Sequence, residues 1–172
     1  SCHLHFLVDW DCPPIDLSEE IGPLQAMKFS DQDRFEFWLM EMDESIRRFS
    51  DSLPEEETKR LDFSVGSLSC LEFWLISRYD GPMDIMRPTE AGVHDGAARY
   101  IGETFRKNLG GKWKIDFADK KNVFFGVPQI NEMKGQVTQF CPHALVTTLL
   151  DRRSGGFLAA IFGAPDSNSR NV

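Results

Sequence analysis

The feature that most constrains this chain is a change in the spacing of its apolar residues at Gly110-Gly111. Before it, apolar side chains recur every three or four positions. After it, Trp113, Ile115 and Phe117 alternate with Lys112, Lys114 and Asp116. The first spacing turns one face of a helix toward a core, and the second does the same for a strand. Helices therefore come first and a hairpin follows. That order specifies an α+β fold, with N-terminal helices packed on a small antiparallel hairpin-based sheet and a C-terminal helix, instead of the alternating units of a parallel sheet.

The helical part is expected in three pieces. Phe35, Trp38, Leu39, Met42, Ile46, Phe49 and Leu53 form one stripe on a single long helix. Ser30 and Asp33 make a capping box at its start, and Pro54 marks its stop. Its opposite face carries Glu41, Glu44, Arg47, Arg48 and Asp51. Phe37 and Met40 lie off the stripe, so this helix either touches a second neighbour or exposes apolar surface. Residues 55–62 read as a charged connector. A second helix is expected over 65–79, capped by Ser64 and ended by Gly81-Pro82. The third runs over 89–109 with Val93, Ala97, Ile101 and Phe105 on one face, and its internal Gly92, Gly96 and Gly102 point to close packing against another element.

Beyond residue 111 the pattern predicts strands at 113–117 and 123–127, joined by a turn at 119–122, with a third strand at 137–140. Pro142 opens a helix through Leu145, Val146, Leu149 and Leu150, and Arg152-Arg153 suit its C-terminal end. The apolar segment 157–162 fits more than one element type. Residues 1–165 read as one domain whose first 30 residues, broken by Pro13-Pro14, form an irregular arm, and 166–172 as a disordered tail. With 172 residues, 14 Phe and 4 Trp, such a domain can build its core around aromatic rings without covalent staples.

No stretch approaches the roughly 20 apolar residues of a membrane span. The four cysteines, Cys2, Cys12, Cys70 and Cys141, lack the spacing of a disulfide framework, which suits a reducing compartment and a cytoplasmic address. Cys2, His3, His5 and Cys12 are the densest potential ligand set, yet no paired C-x-x-C accompanies them and no structural metal or other cofactor is expected. Cys141 and His143 flank Pro142, too close in sequence to hold a sulfur and an imidazole in reach of each other. His94 and Asp95 are adjacent on a helix and diverge, so they form no dyad by themselves. Gly110-Gly111 follows a helix, whereas a phosphate cradle needs glycine amides at a helix start. Lysines and aromatics interleave over residues 112–125, but one face of a hairpin must be core.

Charge is segregated. Residues 1–62 hold 16 acidic and 6 basic side chains, a balance of −10, while residues 63–172 hold 11 and 13, a balance of +2. A field of that sign repels nucleic acid and anionic membrane and speeds encounter with a basic protein.

Leu61-Asp62-Phe63-Ser64, Leu71 and Trp74-Leu75, the run from Gly96 to Glu103, Gly110-Gly111-Lys112-Trp113 and Phe125-Gly126-Val127-Pro128 together resemble small bacterial proteins, some of them similar to immunity proteins of polymorphic toxins. The likeness spans roughly residues 60–155. It implies a protein that works by binding and carries over no functional residue. The leading expectation is thus a non-enzymatic domain that neutralises a basic toxin by occlusion, through Glu41, Glu44, Asp51, Glu55, Glu56 and Glu57. A competing expectation is a small hydrolase or transferase with a site assembled from Cys141, His143, His94 and Glu103. A third is a structural module of a larger assembly, which would show an apolar patch at Phe37 and Met40.

Overall fold

The computed structural model describes residues 29–135 and 139–163. The arm (except Phe29 and Ser30), the tail at 166–172 and the Cys2, His3, His5 and Cys12 set lie outside those residues. The elements in order are α1 (Asp31–Met40), α2 (Met42–Ser52), α3 (Glu55–Thr58), α4 (Val65–Arg78), α5 (Pro82–Ile85), a 3-10 turn (Pro88–Glu90), α6 (Ala91–Leu109), β1 (Lys112–Lys114), β2 (Gln129–Asn131), α7 (Pro142–Arg152) and α8 (Phe157–Gly163). Helices precede a two-stranded antiparallel sheet, and helices follow it. The class is α+β.

α6 is the axis. Every residue from Gly96 to Phe105 is buried, so this helix is enclosed on all sides instead of presenting one stripe. α2 and α7 pack along it, and α4 bridges it to α8. Its small residues admit large neighbours. A Cβ on Gly96 would stand 2.5 Å from Phe49 Cβ, and one on Gly102 would stand 2.2 Å from the Trp113 ring. Both distances are far inside van der Waals contact, so the helix surface is indented where α2 and β1 press on it.

The stripe expected as one helix over residues 30–53 is broken at Glu41. The Ser30–Asp33 capping box forms at its start. At the break, Trp38 O, which an unbroken helix would offer to the Met42 amide, accepts from Arg99 Nη1 of α6 at 2.6 Å. A buried guanidinium with five donors competes well for a backbone carbonyl. The third side of Arg99 lies 4.0 Å over the Trp38 ring.

The hairpin differs from expectation. β1 pairs with β2, Trp113 opposite Ile130, and residues 123–127 form turns instead of a strand. Aspartate and asparagine side chains are the reason. Asp116 accepts from the amides of Ala118 and Asp119 and from Asn122 Nδ2, and Asn122 in turn takes the Phe124 amide. Those local bonds satisfy the backbone before a ladder can. Of the third strand expected over 137–140, Phe140 makes a single bridge to Ile130, and residues 136–138 lie outside those described. Gly111, at φ +103, lets the chain turn from α6 into β1 within contact of Asn131 and Met133.

Three further points were not in the residue pattern. The connector after Pro54 winds into α3. Gly81-Pro82 ends α4 and also opens α5, with the proline in its first turn. The 157–162 segment is helical because Glu72, fully buried on α4, accepts the Phe157 and Leu158 amides at 3.0 and 2.9 Å and so caps α8 from a distance.

Candidate functional site

Two regions hold the residues singled out from sequence, one buried and one at the surface. In the buried region α7 brings His143 against α6, and α1 brings Trp38. Asp95 is the hub. Its Oδ1 accepts from His143 Nε2 and Trp38 Nε1, both at 2.9 Å, and its Oδ2 from Arg99 Nε at 2.7 Å. A carboxylate only accepts, so His143 carries its proton on Nε2. His94 Nε2 donates to the His143 carbonyl at 3.1 Å, and the two rings meet edge to face with centroids 5.6 Å apart.

The electrostatics follow from burial and pairing. Burial alone would raise the Asp95 carboxyl, but the His143 hydrogen bond and the neighbouring positive charge outweigh it and hold the group far below the usual carboxylate range. Burial, aided by His143, pulls the His94 imidazole down to about 4. Burial pushes the Cys141 thiol up to about 11, against the pull of the α7 amides beyond it. A thiol there is a small apolar group at neutral pH.

Of the four residues of the hydrolase expectation, the structure joins His94 and His143. Cys141 is buried one residue before α7 with a thiol that resists ionisation. Glu103 stands about 13.5 Å further along the axis of α6 than His94, at 1.5 Å per residue. It is taken up by Arg106 at 2.7 Å and by Trp113 Nε1 at 2.7 Å. Asp95, read from sequence as diverging from His94, is the centre of the cluster; Trp38 is expected there only as a core side chain, and no site role is expected for Arg99. The signal was present: Asp95 and Arg99 sit at i, i+4 and flank Gly96, Ala97 and Ala98 on α6, a spacing at which the two pair along the helix. His143 Nδ1 is buried and has no hydrogen-bond partner among the described residues. The arrangement can fix imidazole tautomers and lock three helices together.

The surface region is the outer side of α1 to α3. Glu41, Glu44, Asp51, Glu55 and Glu56 are exposed and Glu57 is half-buried. Arg47 is shared between Glu44 at 2.7 Å and Asp51 at 2.9 Å, and Lys59 between Glu55 at 2.8 Å and Glu56 at 3.6 Å. Each cation thus answers one of two carboxylates, and Glu41 and Glu57 form no ion pair among the described residues. On α1 the apolar side chains off the main stripe are exposed: Phe37 at 49% and Met40 at 79%. Phe29, at 49%, stands edge-on to Phe37 with centroids 5.3 Å apart.

Elsewhere a polar pocket of about 350 Å³ is lined by Arg78, Tyr79, Asp80, Asp84, Arg87 and Glu90, whose charges answer one another through Arg78–Glu90 and Arg87–Asp84 contacts. Among the described residues no group of three or more His, Cys, Asp or Glu is placed to hold a metal ion, and no helix is long and apolar enough to cross a membrane. Compared with protein-family models, with curated proteins and with solved structures, the chain matches none.

Proposed function

We propose that this chain is a non-enzymatic binding protein of the immunity type, which neutralises a basic toxin domain by covering its working surface. The observation that carries this reading is the ridge of carboxylates on the solvent side of α2 and α3 and the link before α2, where Glu41, Glu44, Asp51, Glu55, Glu56 and Glu57 outnumber the cations among them. Such a ridge steers a basic partner into encounter and disfavours nucleic acid. Supporting it, His94, Glu103 and Cys141 are buried, and the carboxylate of the partly exposed Asp95 is already taken up by His143, Trp38 and Arg99. The free thiols Cys70, half-buried, and Cys141 suit the cytoplasm, where a toxin would be met.

The test is affinity capture on the immobilised full chain at about 50 mM salt, where the Debye length is still long enough for the ridge to act. A basic protein should be retained, and co-expression of this chain should abolish that protein's toxicity. Retention of nothing, or retention without protection, would overturn the reading.

A further inference from the structure

α1 is apolar on two sides. Phe35 and Trp38 face inward and are buried, as a surface helix requires, but Phe37 and Met40 face solvent, and Phe29 extends the same surface. Phe and Met are side chains enriched at protein interfaces relative to the solvated surface, and this patch holds two of the first and one of the second. The surface is also held in place. Trp38, on the inner side of the same helix, is fixed by Asp95, by Arg99 through both its carbonyl and its ring, and by the Trp113 ring, 4.9 Å away edge-on. A partner would meet an ordered face and lose little entropy in ordering it.

The charges around the patch indicate its occupant. Residues 29–44 carry six acidic side chains, Asp31, Asp33, Glu36, Glu41, Asp43 and Glu44, against the single base Arg34, and all are exposed. Two copies pairing through this face would bring these rims together and repel. Residues 1–28 of the same chain hold five acidic residues and one lysine, so they share the sign of the rim. Complementarity is left to a foreign, positively charged segment.

We propose that the Phe29–Phe37–Met40 face of α1 seats a basic amphipathic segment of a partner protein, its apolar side chains on the patch and its Lys and Arg on the surrounding carboxylates. This deepens the binding reading above by naming the surface and the chemistry that fits it.

The experiment uses the full chain and two labelled peptides of about four helical turns, a leucine–lysine amphipathic peptide and an oligolysine of equal length, followed by fluorescence anisotropy. The amphipathic peptide should bind the more tightly. The double variant Phe37→Ser, Met40→Ser should weaken it about tenfold or more while leaving oligolysine unchanged. The single variant Met40→Lys, at the most exposed position of the patch, should weaken the amphipathic peptide more than oligolysine, which its added charge also repels, and guards against misfolding of the double variant. Equal binding of both peptides, or binding that neither variant alters, would overturn the proposal. So would a wild-type dimer in sedimentation that the Met40→Lys variant dissociates, since a second copy would then be the occupant. Should a captured toxin depend on Glu55, Glu56 and Glu57 and ignore Phe37 and Met40, this inference falls and the immunity reading stands. Should the peptide seat as described while no toxin is captured, the reverse holds.

Discussion

Asp95 accepts three hydrogen bonds from three helices, and its loss would be felt most by Arg99. That guanidinium is almost wholly buried, with Asp95 as its one ion-pair partner among the described residues. Asp95→Ala would leave the charge uncompensated, and a broken buried pair costs about 3–5 kcal/mol. Urea denaturation at neutral pH measures it; a loss below about 1 kcal/mol would mean that the Trp38 carbonyl and ring suffice to hold the cation. His94 makes the fold sensitive to acid. Its folded value of about 4 lies below the ordinary 6.5, so above pH 6.5 both states are neutral and nothing is gained or lost. Between 6.5 and 4 the unfolded chain binds a proton that the folded one refuses, and stability falls as pH is lowered, by about 3 kcal/mol at the bottom of that window. Asp95 acts in the same direction at lower pH: its stabilisation is present above its unfolded value and is lost as pH falls through its depressed folded value. A pH series of urea midpoints for wild type and His94→Gln should diverge between pH 6.5 and 4. Parallel curves would remove His94 from the acid response.

Among the elements, those resting on local periodicity were legible and those resting on distant bonds were not. The α4 and α7 stripes, the span of α6 though not its burial on all sides, the Ser30 capping box and the glycine indentations on α6 follow from spacing and residue size. The break at Glu41 does not, because its cause is Arg99, 58 residues away in sequence, taking the Trp38 carbonyl. The turns at residues 123–127 were hidden behind an apolar run, although Asp116, Asp119 and Asn122 carried the chemistry that makes them. The buried cluster was half legible: His94, Asp95 and His143 were noticed, but their meeting needs α7 folded against α6. α8 is the clearest case of an element specified from outside itself. Glu72→Ala would strand the amides of Phe157 and Leu158, at roughly 1–3 kcal/mol for each buried group left unsatisfied. Hydrogen exchange should show α8 amides losing protection well before those of α6. Uniform loss across both helices would mean that α8 is held by Leu158 packing and not by its cap.

On the scale of the whole molecule the chain is divided by charge as well as by structure. A carboxylate-rich surface on α1 to α3 is attached to a core in which Trp38, Arg99, His143 and Glu72 bond the helices to one another. Five of the six ridge residues are exposed, Glu57 is half-buried, and the ion pairs among them are surface pairs, so they contribute little to stability and can be altered without disturbing the fold. Their charge acts at a distance, through the rate at which a cationic protein arrives. Association of the captured basic partner with this chain, followed by stopped flow between roughly 50 and 500 mM salt as the Debye length shortens from about 14 to about 4 Å, is therefore the most direct measurement. The wild-type rate should fall steeply over that range while dissociation changes little, and Glu55→Gln, Glu56→Gln, Glu57→Gln together should flatten the slope without shifting the urea midpoint. Association rates that stay level from low to high salt would contradict it, leaving the acidic ridge as a solubility feature alone.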